Sequence, residues 1–190
     1  MRGFMKRSID IVLALTALVF LGIPMMLVAL LVKLTSRGPV LYWSDRVGRD
    51  NAIFKMPKFR TMRVETPALA THLLTDPDNF LTPVGGLLRK SSLDELPQLL
   101  SILSGDMSFV GPRPALFNQD DLIALRTAKG VHRITPGLTG WAQVNGRDDL
   151  SIQAKADHDE YYLDHRSILF DLNILFMTFS RTLTGKGVKH

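Results

Sequence analysis

Cysteine is absent from this sequence of 190 residues. Disulfide bonds, thiolate nucleophiles and cysteine-based zinc or iron–sulfur sites are therefore excluded. Aromatic residues make up only 8% of the chain, while 46% of the residues are hydrophobic and 22% are charged. That balance excludes a disordered chain, and the length suits one domain of ordinary size with its own core.

The short motifs of several common enzyme classes are also missing. The sequence contains no G-x-x-x-x-G-K-[ST] phosphate loop, no G-x-G-x-x-G dinucleotide fingerprint and no G-x-S-x-G nucleophile elbow. The five histidines show no spacing that is typical of metal ligands. Carboxylates that lie next to basic residues are the more promising candidates for chemistry.

Acidic residues are scarce in the first third of the chain. Residues 1–63 hold eleven Lys and Arg side chains against three Asp, a net charge of +8, whereas the whole chain carries +5. An excess of positive charge beside an apolar segment points to an anionic membrane surface before it points to nucleic acid.

That apolar segment covers residues 11–32, which include no charged residue. Its length meets the requirement of roughly 20 apolar residues for a helix that crosses a bilayer. A cleaved signal peptide is disfavoured, because the segment is longer than the apolar part of a typical signal and no small-residue cleavage site follows it.

Pro24 lies near the middle of the segment, and basic residues flank the segment on both sides. Proline removes one backbone donor, so in lipid the freed carbonyl groups need another partner. Basic flanks favour the cytoplasmic side, and here both ends carry them. A helix that enters the membrane, bends at Pro24 and returns to the same face satisfies both facts. A kinked single span is the alternative.

The rest of the chain predicts an α+β fold in which helices dominate. Residues 40–43 and 53–58 are strand-like and are separated by polar turns. Residues 66–79 contain two prolines and are typical of a loop. Helices are predicted over residues 92–103, 120–129, 151–162 and 168–183. The last is apolar, and it either packs in the core or lies on the bilayer as an interfacial helix.

Two adjacent acids, Asp94 and Glu95, follow the bases Arg89 and Lys90. The pattern Ser92-x-x-Glu95 is a capping box, in which Glu95 reaches back to the Ser92 amide. A helix N-terminus beside basic residues is also a place where phosphate groups bind. From this segment alone, capping is favoured and catalysis is the alternative.

Two further segments combine glycine with arginine. Residues 111–114 (Gly-Pro-Arg-Pro) form a rigid turn that presents Arg113, and a guanidinium suits bidentate contact with phosphate oxygens. Residues 136–147 interleave three glycines with Trp141, Asn145 and Arg147, as in a loop whose backbone approaches a ligand closely. Exposed turns, with a buried Trp141 as an anchor, are the structural alternative for both.

Taken together, residues 58–62, 92–98, 105–114 and 136–147 resemble, in their order, the motifs of the monotopic phosphoglycosyl transferases, a family of bacterial sugar transferases. The resemblance covers nearly the whole chain and is closest to the short form, which includes the initiating enzyme of bacterial N-linked glycosylation. It implies transfer of a sugar 1-phosphate from a UDP-sugar to a polyprenyl phosphate such as undecaprenyl phosphate, with release of UMP.

The resemblance also implies roles for individual residues. The family's Asp–Glu dyad, which works with Mg²⁺, falls on Asp94 and Glu95. Asp94 would be the nucleophile that forms a covalent phosphosugar intermediate, while Glu95 would hold the metal or assist proton movement, with Asp94 as a second metal ligand. Developing phosphate charge calls for basic residues. The candidates are Lys58, Arg60, Arg89, Arg113 and Arg147.

The same resemblance places the protein on the cytoplasmic face of the bacterial inner membrane. Residues 1–36 would form a re-entrant membrane helix broken at Pro24, and residues 37–190 the catalytic domain. Membrane lipids are expected partners, nucleic acid is not, and a homodimer is a further hypothesis. One departure concerns the break, because the family commonly has serine before the proline whereas this chain has Ile23.

Two questions of function stay open at this level. An N-acetylated sugar is the first hypothesis for the donor, and a hexose such as galactose or glucose is the next. A membrane-anchored module that binds anionic ligands without catalysis would explain the basic first third. It would not explain Asp94 and Glu95 or the loop around Trp141.

Overall fold

Helix α1 (Arg2–Thr35) contains the whole apolar segment and is the longest element of the computed structural model, which describes residues 2–66, 76–146 and 149–184. By length and composition, Gly3–Thr35 could cross a membrane. One face of α1 nevertheless packs along the rest of the protein. Ala14 belongs to one hydrophobic cluster, and Val28 and Val32 belong to a second.

Polar contacts fasten both ends of α1 to the same body of the protein. Near its start, Arg7 donates hydrogen bonds to the carbonyl groups of Ile102 and Leu103. Asp10 accepts a hydrogen bond of 3.1 Å from the Phe109 amide. Just past its end, the guanidinium of Arg60 donates to the Ser36 and Arg37 carbonyl groups. Neither end of the helix is therefore separated from the domain.

Pro24 lies inside α1 without interrupting it. The helical assignment therefore continues through Pro24, and the re-entrant break predicted there stays a prediction. Proline removes a single backbone donor. The residues beyond it are held by side-chain packing, since Met25, Val28 and Val32 join the cluster around Phe59 and Leu88. This packing stabilises the second half of the helix.

The two predicted strands are confirmed as an antiparallel hairpin of β1 (Leu41–Val47) and β2 (Ile53–Phe59). Its register places Tyr42 opposite Lys58 and Arg46 opposite Phe54. Residues that lie opposite one another share a face, and so do residues two apart along a strand. Arg46 and Lys58 therefore project from the same face of the hairpin.

The helix predicted over residues 92–103 is wrong in its first half. Helix α2 (Gly85–Lys90) is followed by a 3-10 turn over Leu93–Glu95, and α3 begins only at Gln98 and ends at Ser104. Ser92 adopts a left-handed backbone conformation with φ of 57°. The chain thus changes direction at Ser92 and presents the acidic residues on a turn between two helices.

A small parallel pair follows, formed by β3 (Ser108–Val110) and β4 (Gly137–Thr139). Between the two strands lies α4 (Asp120–Ala128), which confirms the helix predicted there. Neither short strand was predicted, because three residues are too few to show an alternating pattern. Their pairing brings the segments 105–114 and 136–146 side by side.

The C-terminal part consists of α5 (Trp141–Val144), α6 (Ile152–His165) and α7 (Ile168–Thr184). The helices predicted over residues 151–162 and 168–183 are confirmed. Trp141 packs against Phe170, with 5.0 Å between the ring centroids. Trp141 therefore anchors its loop, which is the structural role that the sequence offered as the alternative to a ligand-binding loop.

Both α1 and α7 leave large apolar side chains exposed. Helix α7 buries Ile174 in the core but exposes Leu169, Phe176 and Phe179. Helix α1 exposes many more, including Val19 and Phe20, which are 78% and 76% accessible. Contiguous apolar surface of this kind marks an interaction site rather than a face for water.

Candidate active site

Glu95 lies at the centre of a cluster of charged side chains. Its Oε1 atom accepts hydrogen bonds from Lys58 Nζ at 2.8 Å and from Arg113 Nη2 at 2.7 Å. The Glu95 side chain is only 13% exposed, and that of Lys58 is 17% exposed. The structure therefore brings together residues from the hairpin, the 3-10 turn and the 111–114 turn.

These contacts show that the capping-box interpretation is wrong. Ser92 makes no side-chain cap hydrogen bond, and the Glu95 carboxylate points to Lys58 and Arg113 instead of the Ser92 amide. Burial by itself would raise the pKa of Glu95. The charges and hydrogen bonds of Arg113 and Lys58 outweigh burial and hold that pKa well below its usual range.

Asp94 occupies a different environment from its neighbour. It is 7% exposed, and no donor among the described residues makes a hydrogen bond to its carboxylate. Burial raises the pKa of Asp94, and the Glu95 carboxylate adds to that effect, while Lys58, Arg89 and Arg113 act against it. The two adjacent acids thus differ, because Glu95 is held by two cations and Asp94 is not.

The turn that carries Arg113 is fixed by backbone packing. A Cβ atom on Gly140 would lie 2.0 Å from the Gly111 carbonyl oxygen, and one on Gly137 would lie 2.1 Å from the Gly111 nitrogen. Only glycine allows this approach. Of the two interpretations of the glycines in this loop, the structural one therefore holds for Gly137 and Gly140, which allow contact between two loops.

A buried ion pair holds the same turn from its other side. Arg126 donates to the Arg113 carbonyl at 2.8 Å and to the Asp159 carboxylate at 2.6 and 2.9 Å. Asp159 is only 1% exposed. Sequence reasoning missed this support, because Arg126 and Asp159 belong to different helices and carry no local motif.

The other predicted phosphate-binding residues have different positions. Arg89 lies near Asp94 and donates to the Thr61 hydroxyl at 3.2 Å. Arg60 does not join the cluster, because its guanidinium is buried against the end of α1 at Ser36 and Arg37. Arg147 lies outside the described residues.

Arg46 is a basic residue of this region that the sequence analysis passed over. Its Nη1 donates to the Pro114 carbonyl at 3.1 Å, and its Nε donates to the Ser44 hydroxyl at 3.0 Å. Burial, followed by the neighbouring charge of Arg113, lowers the pKa of Arg46 to about 10. The alternation of β1 and β2, with basic residues at positions 46 and 58, was the signal that could have found it.

The acidic pair fits a magnesium ion that takes some of its ligands from the protein and the others from substrate phosphates and water. Within the described residues, no group of three or more His, Asp or Glu side chains could enclose a metal. Mg²⁺ does not need such a cage, since it is usually bound by one or two carboxylates together with substrate phosphates and water. Both hydrogen bonds to Glu95 go to Oε1, so Oε2 and the Asp94 carboxylate are the oxygens that fit this role.

Comparison with known proteins agrees with the resemblance found in the sequence. The family described as "Bacterial sugar transferase" matches residues 1–185. The uncharacterized sugar transferase EpsL of Bacillus subtilis is 39% identical over 188 residues, which cover 97% of this chain and 90% of that protein.

Two relatives with more informative names are longer proteins. A UDP-N-acetylgalactosamine-undecaprenyl-phosphate N-acetylgalactosaminephosphotransferase of Aeromonas hydrophila is 37% identical over 98% of this chain and 45% of its own length. A UDP-glucose:undecaprenyl-phosphate glucose-1-phosphate transferase of Escherichia coli is 38% identical over 96% of this chain and 41% of its own length. The aligned region is therefore less than half of each of these two proteins.

Proposed function

This chain belongs to the bacterial sugar transferase family, and from that membership we propose that it transfers a sugar 1-phosphate from a UDP-sugar to undecaprenyl phosphate and releases UMP. The supporting observation is the unequal environment of two adjacent acids. Glu95 is held by Lys58 and Arg113, whereas Asp94 is buried without a hydrogen-bond donor among the described residues. A carboxylate that is not engaged by a donor keeps its lone pairs for attack.

In the proposed mechanism Asp94 acts as the nucleophile. One of its oxygens attacks the phosphorus that bears the sugar, a new O–P bond forms, and the bond from that phosphorus to the bridging oxygen breaks. The bridging oxygen leaves with UMP. An oxygen of the acceptor phosphate then attacks the same phosphorus and displaces the Asp94 carboxylate. A soluble donor and a lipid acceptor can thus use one site in turn.

The basic residues stabilise negative charge on the phosphoryl groups. Arg113 presents a guanidinium held by Glu95, and Arg89 adds a second cation beside Asp94. Fixed cations in a site with little water stabilise developing charge without reorganising during the reaction. Mg²⁺, bound by Asp94 and Glu95, would supply further charge neutralisation. Lys58 keeps Glu95 ionised and in place.

The reaction is proposed to occur at the cytoplasmic face of the inner membrane. Both ends of α1 are fastened to the domain, Arg7 and Asp10 at the start and residues 36–37 at the end. In the proposed arrangement a helix attached in this way would have both ends on one side of the bilayer, and a bend at Pro24 would allow it. The exposed apolar side chains of α1 and α7 would then contact lipid.

The identity of the sugar is the finer part of the proposal. An N-acetylated sugar is our first hypothesis, and a hexose is the alternative, since the names of the relatives include both classes. A panel of UDP-sugars, with UMP release as the readout, decides between them. A non-catalytic anchored module is the less favoured function, because it gives no reason for the arrangement around Asp94.

The proposed nucleophile can be tested by trapping its intermediate. Purified protein is mixed with Mg²⁺ and labelled UDP-sugar without a lipid acceptor, quenched quickly and analysed by mass spectrometry. We expect sugar phosphate on the peptide that contains Asp94 and an equal amount of UMP. Asp94→Asn should form no adduct and transfer no sugar phosphate.

The matched control is Asp45→Asn, which makes the same change at an exposed position of β1. It should form the adduct like the unchanged protein. Transfer by Asp94→Asn at the rate of the control would overturn the assignment of the nucleophile.

A further inference from the structure

Arg46 is held in place beside the turn that carries Arg113. Two of its nitrogens are used, since Nε donates to the Ser44 hydroxyl and Nη1 to the Pro114 carbonyl. The end of β1 is also joined to the chain just after that turn, because the Val47 amide donates to the Ala115 carbonyl at 2.9 Å. The guanidinium is therefore fixed from both strand and turn.

Arg46 is partly buried, and it has no acidic partner in the part of the chain that the structure describes. Its two hydrogen bonds go to neutral oxygens, a hydroxyl and a carbonyl. The acid in the vicinity, Glu95, is already shared by Lys58 and Arg113 through ion pairs of 2.8 and 2.7 Å. A partly buried guanidinium without a counter-ion has its charge available for an anion from outside the chain.

The charges of the cluster, counted over the residues that the structure describes, also point to an anionic ligand. Lys58, Arg113 and Arg46 contribute three positive charges, and Glu95 contributes one negative charge. Arg89 and Asp94 beside them balance each other. Among the described residues, the side chains of the cluster therefore carry more positive than negative charge, and a positive site attracts the negative charges of a diphosphate.

We propose that Arg46 binds the diphosphate of the nucleotide sugar together with Arg113. The inference rests on the proposed function, and it adds a substrate-binding residue on β1 that lies outside the sequence motifs. The nitrogen Nη2, which has no protein partner among the described residues, is the donor directed to a phosphate oxygen. The neutral contacts of Nε and Nη1 hold the guanidinium in position for it.

The alternative is that Arg46 only positions the turn through the Pro114 carbonyl. Lysine distinguishes the two roles, because its ammonium keeps the positive charge but lacks the planar arrangement in which Nε and Nη1 reach Ser44 and Pro114. A binding role predicts that Arg46→Lys keeps most of the affinity for phosphate and that Arg46→Met loses it. A positioning role predicts equal losses in the two variants.

The test uses the full chain in detergent and inorganic pyrophosphate, which carries the two phosphates without sugar or nucleoside. Binding of pyrophosphate and of UDP is measured by calorimetry, alongside thermal unfolding of each variant. We expect Arg46→Met to weaken both ligands tenfold or more, and Arg46→Lys to stay within about threefold, since lysine binds phosphate as a point charge.

The control variant is Arg49→Met, which removes the same charge from the same hairpin at a side chain that is 65% exposed. It should bind like the unchanged protein. Two results would overturn the inference. One is an equal loss of affinity in Arg46→Lys and Arg46→Met. The other is an Arg46→Met variant that binds both ligands as tightly as Arg49→Met. Should Arg46→Met not fold, a loss in folded Arg46→Lys of tenfold or more overturns it as well. Failure of the proposed function gives another pattern, because the unchanged protein would then neither bind UDP nor release UMP.

Discussion

Glu95→Gln should lower the stability of the protein by several kcal/mol. The amide has nearly the shape of the carboxylate but carries no charge. It would leave Lys58 and Arg113 facing a neutral group in a site where Glu95 is 13% exposed and Lys58 is 17% exposed. The change therefore removes the counter-ion of two cations and leaves their desolvation uncompensated.

The size of the effect follows from burial. Removing one partner of a buried ion pair costs about 3–5 kcal/mol. Arg113 is 31% exposed, so water reduces its share of the loss. We therefore expect the lower end, about 3 kcal/mol. For a chain of this length that corresponds to a decrease in Tm of about 6–12 °C.

The pH dependence has a definite sign. A carboxyl with a depressed pKa in the folded protein adds stability that is present above its unfolded pKa and is lost as pH falls through the folded value. The pKa of Glu95 is held well below its usual range. The difference in stability between the unchanged protein and Glu95→Gln should therefore be constant from about pH 6 to 8 and should shrink only in acid.

The assay is thermal unfolding followed by the fluorescence of Trp43 and Trp141. Asp94→Asn is the first control: burial raises the pKa of Asp94, so removing that charge should leave Tm unchanged or higher. Asp45→Asn is the second, since its exposed pair with Lys55 is worth less than about 1 kcal/mol. If Glu95→Gln unfolded within about 2 °C of these two controls, the counter-ion role of Glu95 would be refuted.

Three other predictions concern rate, pH and topology. Arg113→Lys keeps the charge but loses the planar fork, so steady-state kinetics should show a decrease in turnover of about tenfold or more, or about 1.4 kcal/mol of transition-state stabilisation. Arg89→Met removes a cation that lowers the pKa of Asp94. The acid limb of the pH–rate profile should therefore move to higher pH, and an unchanged limb would contradict the proximity of the two charges. Single cysteines at positions Arg2 and Lys33, in a chain that has none, should both resist an impermeant thiol reagent in intact cells and both react after lysis. Labelling of only one from outside would establish a single span.

The sequence predicted those elements whose signal is local and long enough to be periodic. The apolar run of α1, the alternation of β1 and β2, and the helices α4, α6 and α7 all extend over several turns or residues. Periodic patterns of this length reflect which face is buried. The strands β3 and β4 have three residues each and gave no such signal.

The helix predicted from Ser92 onward shows how a long-range contact overrides a local pattern. A capping box stabilises a helix end by about 1 kcal/mol, whereas leaving two partly buried cations without their carboxylate would cost about 3–5 kcal/mol. Glu95 is therefore drawn to Lys58 and Arg113, and Ser92 takes a left-handed conformation. Neither partner of Glu95 lies within fifteen residues of it, so a prediction from the neighbouring residues alone could not include these contacts.

The sequence by itself determined the chemistry available to this protein: two adjacent carboxylates, several basic residues, an apolar N-terminal segment and no thiol. Only the tertiary structure decided which of those residues meet. It joined Lys58, Glu95 and Arg113, added Arg46, and assigned Arg60 to the end of α1. The physical reason is that side-chain type is fixed by the residue, whereas burial and charge proximity, which set pKa and affinity, depend on contacts between distant parts of the chain.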